Sequence, residues 1–360
     1  MKRSYIREIL DCINEDTISF AGGLPSSNNF PLKEIQEASK EVLKNEEALQ
    51  YMSSRGLLAL REQIALWYTK HLGFKTKASE ILITTGSQQA FDMIGKTCIK
   101  EEVIVQEPSY IGALNAYKLL GLKLKGFKNI SSLKNVLKQN NALYLMSTLQ
   151  NPNTTSYNQK QKDECLLHLK ESKSLLIEDD AYMFLRFDGK INIPISSFYE
   201  KSFHLGSFSK IIAPGLRVGW IRANESLLDK VIIVKEALDL HTSSLSQHII
   251  SSYLENNDIF AHLEKTKKDY KNKMEFMAFC LNKYIPSFHF NKPDGGMFIY
   301  GSFEQDSYLI AKKALEKNIA IVPASVFYYD NRQSKEARFN FSNANIQEIE
   351  KGIKIIASLL

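Results

Sequence analysis

The stretch FHLGSFSKIIAPGLRVGWIRA, residues 203–223, holds two short apolar runs, FHLGS (203–207) and VGWIRA (218–223), around a polar turn. Each run has the length and composition of a buried strand. The gap between them is too short for a crossover helix, so one of the two is expected to run antiparallel in its sheet. The turn carries Lys210 and, seven residues on, Arg217 in an otherwise apolar setting. Two cations there suit neither a core nor an ordinary surface.

Five further runs upstream have the same character: ILITT (81–85), EVIVQ (102–106), LKLKGF (122–127), ALYLMS (142–147) and SLLIED (174–179). Amphipathic segments separate most of them, at 88–100, 110–120 and 159–172. Strand alternating with helix implies crossover units. The expected fold class is α/β: a mainly parallel seven-stranded sheet covered by helices, with a smaller α+β domain. The pattern changes near residue 224. A helical stretch runs from about 225 to 281, with breaks near Thr242 and Asn256. Short strands then flank PDGGMFIY (293–300) and ARFNFS (337–342), with a helix near 305–317 and a last one at 345–359. Three regions are expected: an N-terminal arm, 1–40, packing on the small domain; a large domain, 41–245; and a C-terminal small domain, 246–360.

Composition narrows the function. The chain has 360 residues, 44% hydrophobic and 24% charged, as in a soluble globular protein. No apolar run is long enough to cross a membrane. The N-terminal MKRSYIREIL lacks an apolar signal core, so the expected location is the cytoplasm. Lys and Arg number 46 against 40 Asp and Glu, a net charge of +6 that suits small anions. No dense basic block interleaved with aromatics marks a nucleic-acid partner. Cys12, Cys98, Cys165 and Cys280 have neither zinc nor redox spacing and read as free thiols of a reducing compartment.

In open parallel sheets the ligand lies beyond the carboxyl ends of the strands. Five strands here are followed by polar clusters: GSQQ, EPSY, TLQNPN, DDAY and FSK. In GSQQA (86–90), a Gly and a Ser between strand and helix offer an anion site at the helix N-terminus, though Ser there is as often a plain cap. Ser207, Ser209 and Arg217 add two hydroxyls and a fixed cation, enough to hold a phosphate. A lysine in an apolar setting with nearby cations has a lowered pKa and can condense with an aldehyde cofactor. A carboxylate such as those of IEDDAY (177–182) can keep a cofactor's pyridine nitrogen protonated. Asn151 offers an amide to a ring hydroxyl, while Tyr110 and Tyr182 offer an aromatic face and a phenol. Singly, each of these residues is more often a cap, a turn or a surface group. Their placement after successive strands is what points to a site.

In order along the chain come ISFAGGLPSSNNFP (18–31), LQYMSSRGLLALREQIA (49–65), ILITTGSQQAFD (81–92), EPSYIGAL (107–114), QNPN (150–153), IEDDAY, GSFSKIIAPGLRVGW (206–220), PDGGMFIY and RFNFS (338–342). With these the chain resembles the fold-type I, pyridoxal-phosphate-dependent aminotransferases of class I/II. Within them it is most similar to the branch of 2-aminoadipate, kynurenine and aromatic aminotransferases, which also includes the C-terminal domains of MocR-type regulators. The resemblance implies pyridoxal 5′-phosphate as cofactor and an amino acid and a 2-oxo acid, such as 2-oxoglutarate, as substrates. It implies that Lys210 bonds the cofactor aldehyde and moves the substrate proton, and that Asp179 pairs with the pyridine nitrogen. Tyr182 and Asn151 then bind the ring 3-oxygen and Tyr110 stacks on the ring. Ser87, Gln88, Ser207, Ser209 and Arg217 line the phosphate site. Tyr51 reaches the phosphate of a neighbouring subunit, which implies a homodimer. Arg338 clamps the substrate carboxylate, and Gly23 lets that substrate approach.

Two departures stand out. The family continues N-P-T-G where this chain has NPNTT (151–155), so the turn after Asn151 is expected to take another shape. Ala324, in VPASVFY (322–328), replaces a common Gly. Two rival functions use the same cofactor: a C–S β-lyase and a non-catalytic regulatory module. Only 17 residues precede ISFAGG, so a stand-alone enzyme is expected rather than a regulator with its own DNA-binding domain.

Overall fold

A computed structural model describes residues 14–360. Cys12 and the first part of the expected arm lie outside the described residues. Strand β1, Ile18–Ser19, pairs in parallel with a strand from far along the chain, Ile319–Ala320. Seven strands then build the large sheet: β2 (Ile81–Thr84), β3 (Glu102–Gln106), β4 (Lys123–Phe127), β5 (Ala142–Leu145), β6 (Leu175–Asp179), β7 (Ser202–Ser207) and β8 (Gly219–Arg222). All seven expected runs are strands.

Their order in space is β2-β8-β7-β6-β5-β3-β4. The five central-to-edge strands β7, β6, β5, β3 and β4 are mutually parallel, while β8 runs antiparallel to both β2 and β7. The short gap after Ser207 therefore resolves as expected, with β8 as the reversed strand. Helices Ser87–Cys98, Ile111–Leu119 and Gln159–Ser172 occupy the amphipathic segments.

β2, β5 and β6 are buried at every position, as strands covered on both faces must be. One core lies on the face carrying Ile83, Tyr144, Ile177 and Leu205. A second lies on the opposite face, around Ile104, Leu143, Leu176 and Leu169. Each fully buried aliphatic side chain in such layers contributes about 1.5–3 kcal/mol. Gly206, in β7, is dictated by packing: a Cβ there would meet the Trp220 ring of β8 at 2.1 Å.

Beyond β8 come helices Glu225–Leu238, Ser244–Asn256 and Ile259–Tyr284, with breaks where the sequence placed them. Strands β9 (His289–Phe290), β10 (Phe298–Ser302), β12 (Val322–Pro323) and β13 (Glu336–Asn340) form an antiparallel sheet in the order β12-β13-β10-β9, and β11 (Ile319–Ala320) is the partner of β1. Helices Ser307–Leu315 and Ile346–Ala357 complete this part. The larger core runs on into it through Met297, Phe298, Ile299 and Phe339. Cys165 and Cys280 are buried and Cys98 is partly so, all as free thiols.

Candidate active site

The carboxyl-side loops of the large sheet enclose a cavity of about 400 Å³. Each wall can be traced to a strand end.

After β2 the chain passes Thr85 and Gly86 into helix Ser87–Cys98. Gly86 is the N-cap at φ 75°, and a Cβ there would lie 2.7 Å from Arg217 Nη2. Both facts require glycine. The first helical turn leaves backbone N–H groups without intrahelical partners, and Ser87 and Gln88 line the cavity beside them.

After β7, a short 3₁₀ turn, Phe208–Lys210, is capped by Ser207, whose Oγ accepts from the Ser209 N–H at 3.1 Å. Ser207 thus has a structural job as well as a place on the wall. Ser209, Lys210 and Arg217 line the same wall. Arg217 donates to the Pro214 carbonyl at 3.2 Å and the Thr85 carbonyl at 3.4 Å, tying the two loops together. Lys210 Nζ donates to the Gly23 carbonyl at 2.7 Å. Burial draws its ammonium down to about 8, and the Arg338 and Arg217 charges add to the effect.

At the end of β6, three consecutive acids have three different settings. Glu178 is saturated: it accepts from Ser147 Oγ and from the Ile195 and Ser196 N–H groups. Asp180 faces His204 Nε2 at 3.5 Å. Asp179 lines the cavity, and its Oδ2 accepts from the Tyr144 hydroxyl at 3.0 Å. Burial pushes its carboxyl up to about 7, opposed by the Tyr144 bond. Its Oδ1 is buried and has no partner among the described residues.

Asn151 and Tyr182, both buried, line the far wall with Nδ2 and hydroxyl 3.5 Å apart. Tyr110, at the start of helix Ile111–Leu119, lines it too. Behind Asn151 lies Arg338 of β13, 1% exposed. Its Nη1 donates to Asn151 Oδ1 at 2.7 Å and its Nη2 to the Ala21 carbonyl at 2.6 Å. Its guanidinium sits 4.1 Å from the Phe298 ring centroid and 5.0 Å from that of Phe327. Burial lowers it to about 10, so it is charged at neutral pH, and no described carboxylate pairs with it.

Ten expected residues therefore line one cavity: Ser87, Gln88, Tyr110, Asn151, Asp179, Tyr182, Ser207, Ser209, Lys210 and Arg217. Arg338 and Gly23 adjoin it through Asn151 and Lys210. Tyr51 is not brought there. It is 79% exposed, edge-on to His241 at 5.8 Å between centroids.

Sequence reading missed Met146, Ala181 and Pro214 on the walls, and Tyr144 behind Asp179. Tyr144 carried a usable signal, since a tyrosine inside an apolar strand must find its hydroxyl a partner. Sequence reading also missed a buried chain behind Asp180. Trp220 Nε1, which can only donate, gives its proton to the Tyr68 hydroxyl at 3.0 Å, and that hydroxyl lies 2.6 Å from His204 Nδ1. That hydroxyl therefore bridges the indole and the His204 ring, whose Nε2 faces Asp180.

Thr154, where the family has glycine, has φ 63°, in the left-handed region that favours glycine. The turn closes through Thr154 N–H to the Gln150 carbonyl at 2.7 Å and Gln150 N–H to the Thr155 carbonyl at 2.8 Å. A β-branched residue thus stands in the left-handed region, where it carries backbone strain. Ala324 is fully buried after β12.

The arrangement fits pyridoxal 5′-phosphate. The orphaned Asp179 Oδ1 lacks the kind of donor a protonated ring nitrogen provides, and Lys210 is an amine of lowered pKa in the same cavity. Ser87, Ser209, Arg217 and a helix N-terminus gather donors for a phosphate at one end.

Comparison with known proteins agrees. The profile of the family "Aminotransferase class I and II" matches residues 15–356. Aromatic-amino-acid aminotransferase 1 of Thermococcus litoralis is 33% identical, covering 100% of this chain and 92% of its own. The 2-aminoadipate transaminase of Thermus thermophilus is 32% identical over 100% of this chain and 94% of its own. The crystal structure of alpha-aminoadipate aminotransferase from Thermus thermophilus, complexed with N-(5′-phosphopyridoxyl)-L-leucine, superposes with a TM-score of 0.92. It is 30% identical, over 99% of this chain and 94% of that one.

Proposed function

The chain belongs to the class I and II aminotransferases and is a pyridoxal-phosphate-dependent enzyme; on that premise we propose how its own residues divide the work and what they act upon. Bound pyridoxal phosphate supplies an aldehyde to carry the amino group and a protonated ring to draw electrons. Asp179 holds the ring nitrogen's proton, completing the bond its Oδ1 lacks. Ser87, Gln88, Ser207, Ser209 and Arg217 bind the phosphate. Tyr110 lies against the ring, and Asn151 and Tyr182 hydrogen-bond its 3-oxygen. Lys210 would serve as the base that takes the proton from the substrate Cα and, as its conjugate acid, would give a proton to the Cα in the reverse half-reaction. An amine of pKa about 8 suits that task because its neutral form is accessible near neutral pH.

Arg338 binds the substrate carboxylate. It is a buried cation without a carboxylate of its own among the described residues, close to the Phe298 and Phe327 rings, and a fork of N–H donors matches a carboxylate. Gly23 leaves room for that substrate. A Cβ there would make only ordinary contact, 3.5 Å from Phe298, so protein packing alone does not demand glycine.

The donor is an amino acid with an aromatic, aliphatic or 2-aminoadipate-like side chain, and the acceptor is a 2-oxo acid such as 2-oxoglutarate. The apolar and aromatic lining from Met146 and Tyr110 supports the first part. The similarity to aromatic-amino-acid and 2-aminoadipate enzymes supports the range. The working unit is a homodimer in the cytoplasm. Leu49 and Tyr51, 69% and 79% exposed, present an apolar edge for a second copy, with Tyr51 reaching the partner's phosphate. No helix among the described residues is long and apolar enough to cross a membrane. The large unit extends to residue 245, and helix Ser244–Asn256 spans its seam with the small one.

The observation that carries this reading is the pairing of a lowered lysine and a half-satisfied aspartate in one cavity. A panel of amino donors against 2-oxoglutarate tests it. Glutamate formation from an aromatic or 2-aminoadipate-like donor is expected. Pyruvate and ammonia released without an acceptor would instead establish the β-lyase.

A further inference from the structure

One buried cation has no part in the chemistry above. Lys235, near the C-terminal end of helix Glu225–Leu238, is wholly buried. Its Nζ donates to Gln89 Oε1 at 2.9 Å, Asp239 Oδ1 at 3.0 Å and Thr242 Oγ1 at 3.1 Å. An ammonium has three donors, so all are spent. Asp239 also accepts from Gln89 Nε2 at 2.6 Å and Thr85 Oγ1 at 3.1 Å. Gln89 Oε1 accepts in addition from the Thr85 N–H at 2.8 Å.

Every line in this cluster ends on Thr85. Its N–H and its hydroxyl are both held, and its carbonyl accepts from Arg217. The next residues are Gly86, whose left-handed backbone leaves no room beside Arg217, and Ser87 on the cavity wall. A sharp turn with one residue at φ 75° needs its flanks fixed if its N–H groups are to point one way. Stability alone does not call for an ion pair here. Apolar groups of similar volume commonly serve as well as a buried pair. Burial pulls the Lys235 ammonium down while its bond to Asp239 lifts it. At Asp239, burial is outweighed by the bonds from Gln89, Lys235 and Thr85.

We propose that the Lys235–Asp239 pair sets the turn Thr85–Gly86–Ser87 and thereby the cofactor's phosphate, which makes Lys235 a positioning residue for cofactor binding. The proposal rests on the reading of Ser87 and Arg217 as the phosphate cradle. It places the pair outside the reacting atoms, so it governs affinity for the cofactor and leaves the proton transfer at Lys210 alone.

The test is a ratio. The full chain, freed of cofactor by dialysis, is titrated with pyridoxal 5′-phosphate and with pyridoxal, following tryptophan fluorescence. Lys235→Met is expected to weaken the phosphorylated ligand by about tenfold, the equivalent of ~1.4 kcal/mol, while pyridoxal binds as before. A general loosening of the fold would weaken both ligands alike. Should the single variant fold poorly, Lys235→Met with Asp239→Leu replaces the pair by apolar groups. That double variant is expected to recover melting temperature without recovering the preference for phosphate. An unchanged ratio in Lys235→Met, equal weakening of both ligands, or a ratio restored with stability in the double variant would each overturn the proposal. Arg217→Met separates it from its premise. If that variant keeps the wild-type ratio, the cradle is wrongly assigned; if it loses the ratio and Lys235→Met does not, only the positioning role fails.

Discussion

Lys210 lines the cavity and Lys235 is bonded to the Gln89 and Asp239 side chains that hold Thr85, and burial pulls both ammonium groups below their ordinary value. Their surroundings then part. Lys210 bonds a single carbonyl, that of Gly23, and feels two arginine charges that push it further down to about 8. Lys235 has an aspartate and two further oxygens, and the aspartate lifts it back. One lysine is denied an acid and so can give up its proton. The other is supplied with one and so can hold a turn in place. Reactivity in this fold comes from withholding a partner, and rigidity from providing it.

The strongest test of that contrast is Lys210→Ala. Amino transfer is expected to fall by at least about 10²- to 10⁴-fold in single-turnover assays while far-UV dichroism is unchanged. A wild-type rate would remove Lys210 from the proton's path. Next in size is Asp179→Asn, which removes the acid proposed to pair with the ring nitrogen. Turnover should drop about 10²-fold with cofactor still bound. The same variant checks the titration. Folding raises this carboxyl from 3.8 to about 7, so its stabilising contribution is complete at low pH and is lost as pH rises towards 7. In the cofactor-free chain, Asp179→Asn should flatten that part of the pH–stability curve relative to wild type. An identical slope in both would contradict the shift.

A smaller effect separates the two lysines directly. Reaction of Lys210 with an added aldehyde, trapped by borohydride and read by peptide mass, should speed up about tenfold between pH 7 and pH 9, because the neutral amine is the nucleophile. Lys235 should remain unlabelled throughout that range. Equal labelling of the two would erase the distinction. The smallest effect concerns strain rather than charge. Thr154→Gly should raise stability by no more than about 1 kcal/mol, since relief of the left-handed threonine is partly offset by the flexibility of glycine in the unfolded chain. A loss of stability on urea denaturation would show that Thr154 is not strained.

Much of this site could be read before the fold was seen. Lys210 and Asn151 follow strand ends, Asp179 closes β6 and Arg217 leads into the reversed β8, and a parallel sheet brings such ends to one edge. The reading failed where a residue matters through a distant partner. Tyr144 looked like strand filler, yet its hydroxyl holds Asp179. Lys235 lay unremarked within a helical stretch, yet it is wholly buried. The left-handed φ of Thr154 was not legible either, because residue type alone does not reveal which backbone region the chain around it enforces.

By itself, then, the sequence determined the seven strands, the reversal between Ser207 and Gly219, and the loop residues that gather at the cavity. Those features depend on neighbours in the chain: apolar runs, short gaps and the polar residues directly after each run. Only the tertiary structure decided the strand order, the approach of Arg338 to Phe298 and Phe327, and the different fates of the two lysines. The partners of Arg338 and Lys235 include Asn151, 187 positions away, and Gln89, 146 positions away. A side chain's charge and pKa are set by what packs against it, and at such separations the packing exists only once the chain has folded.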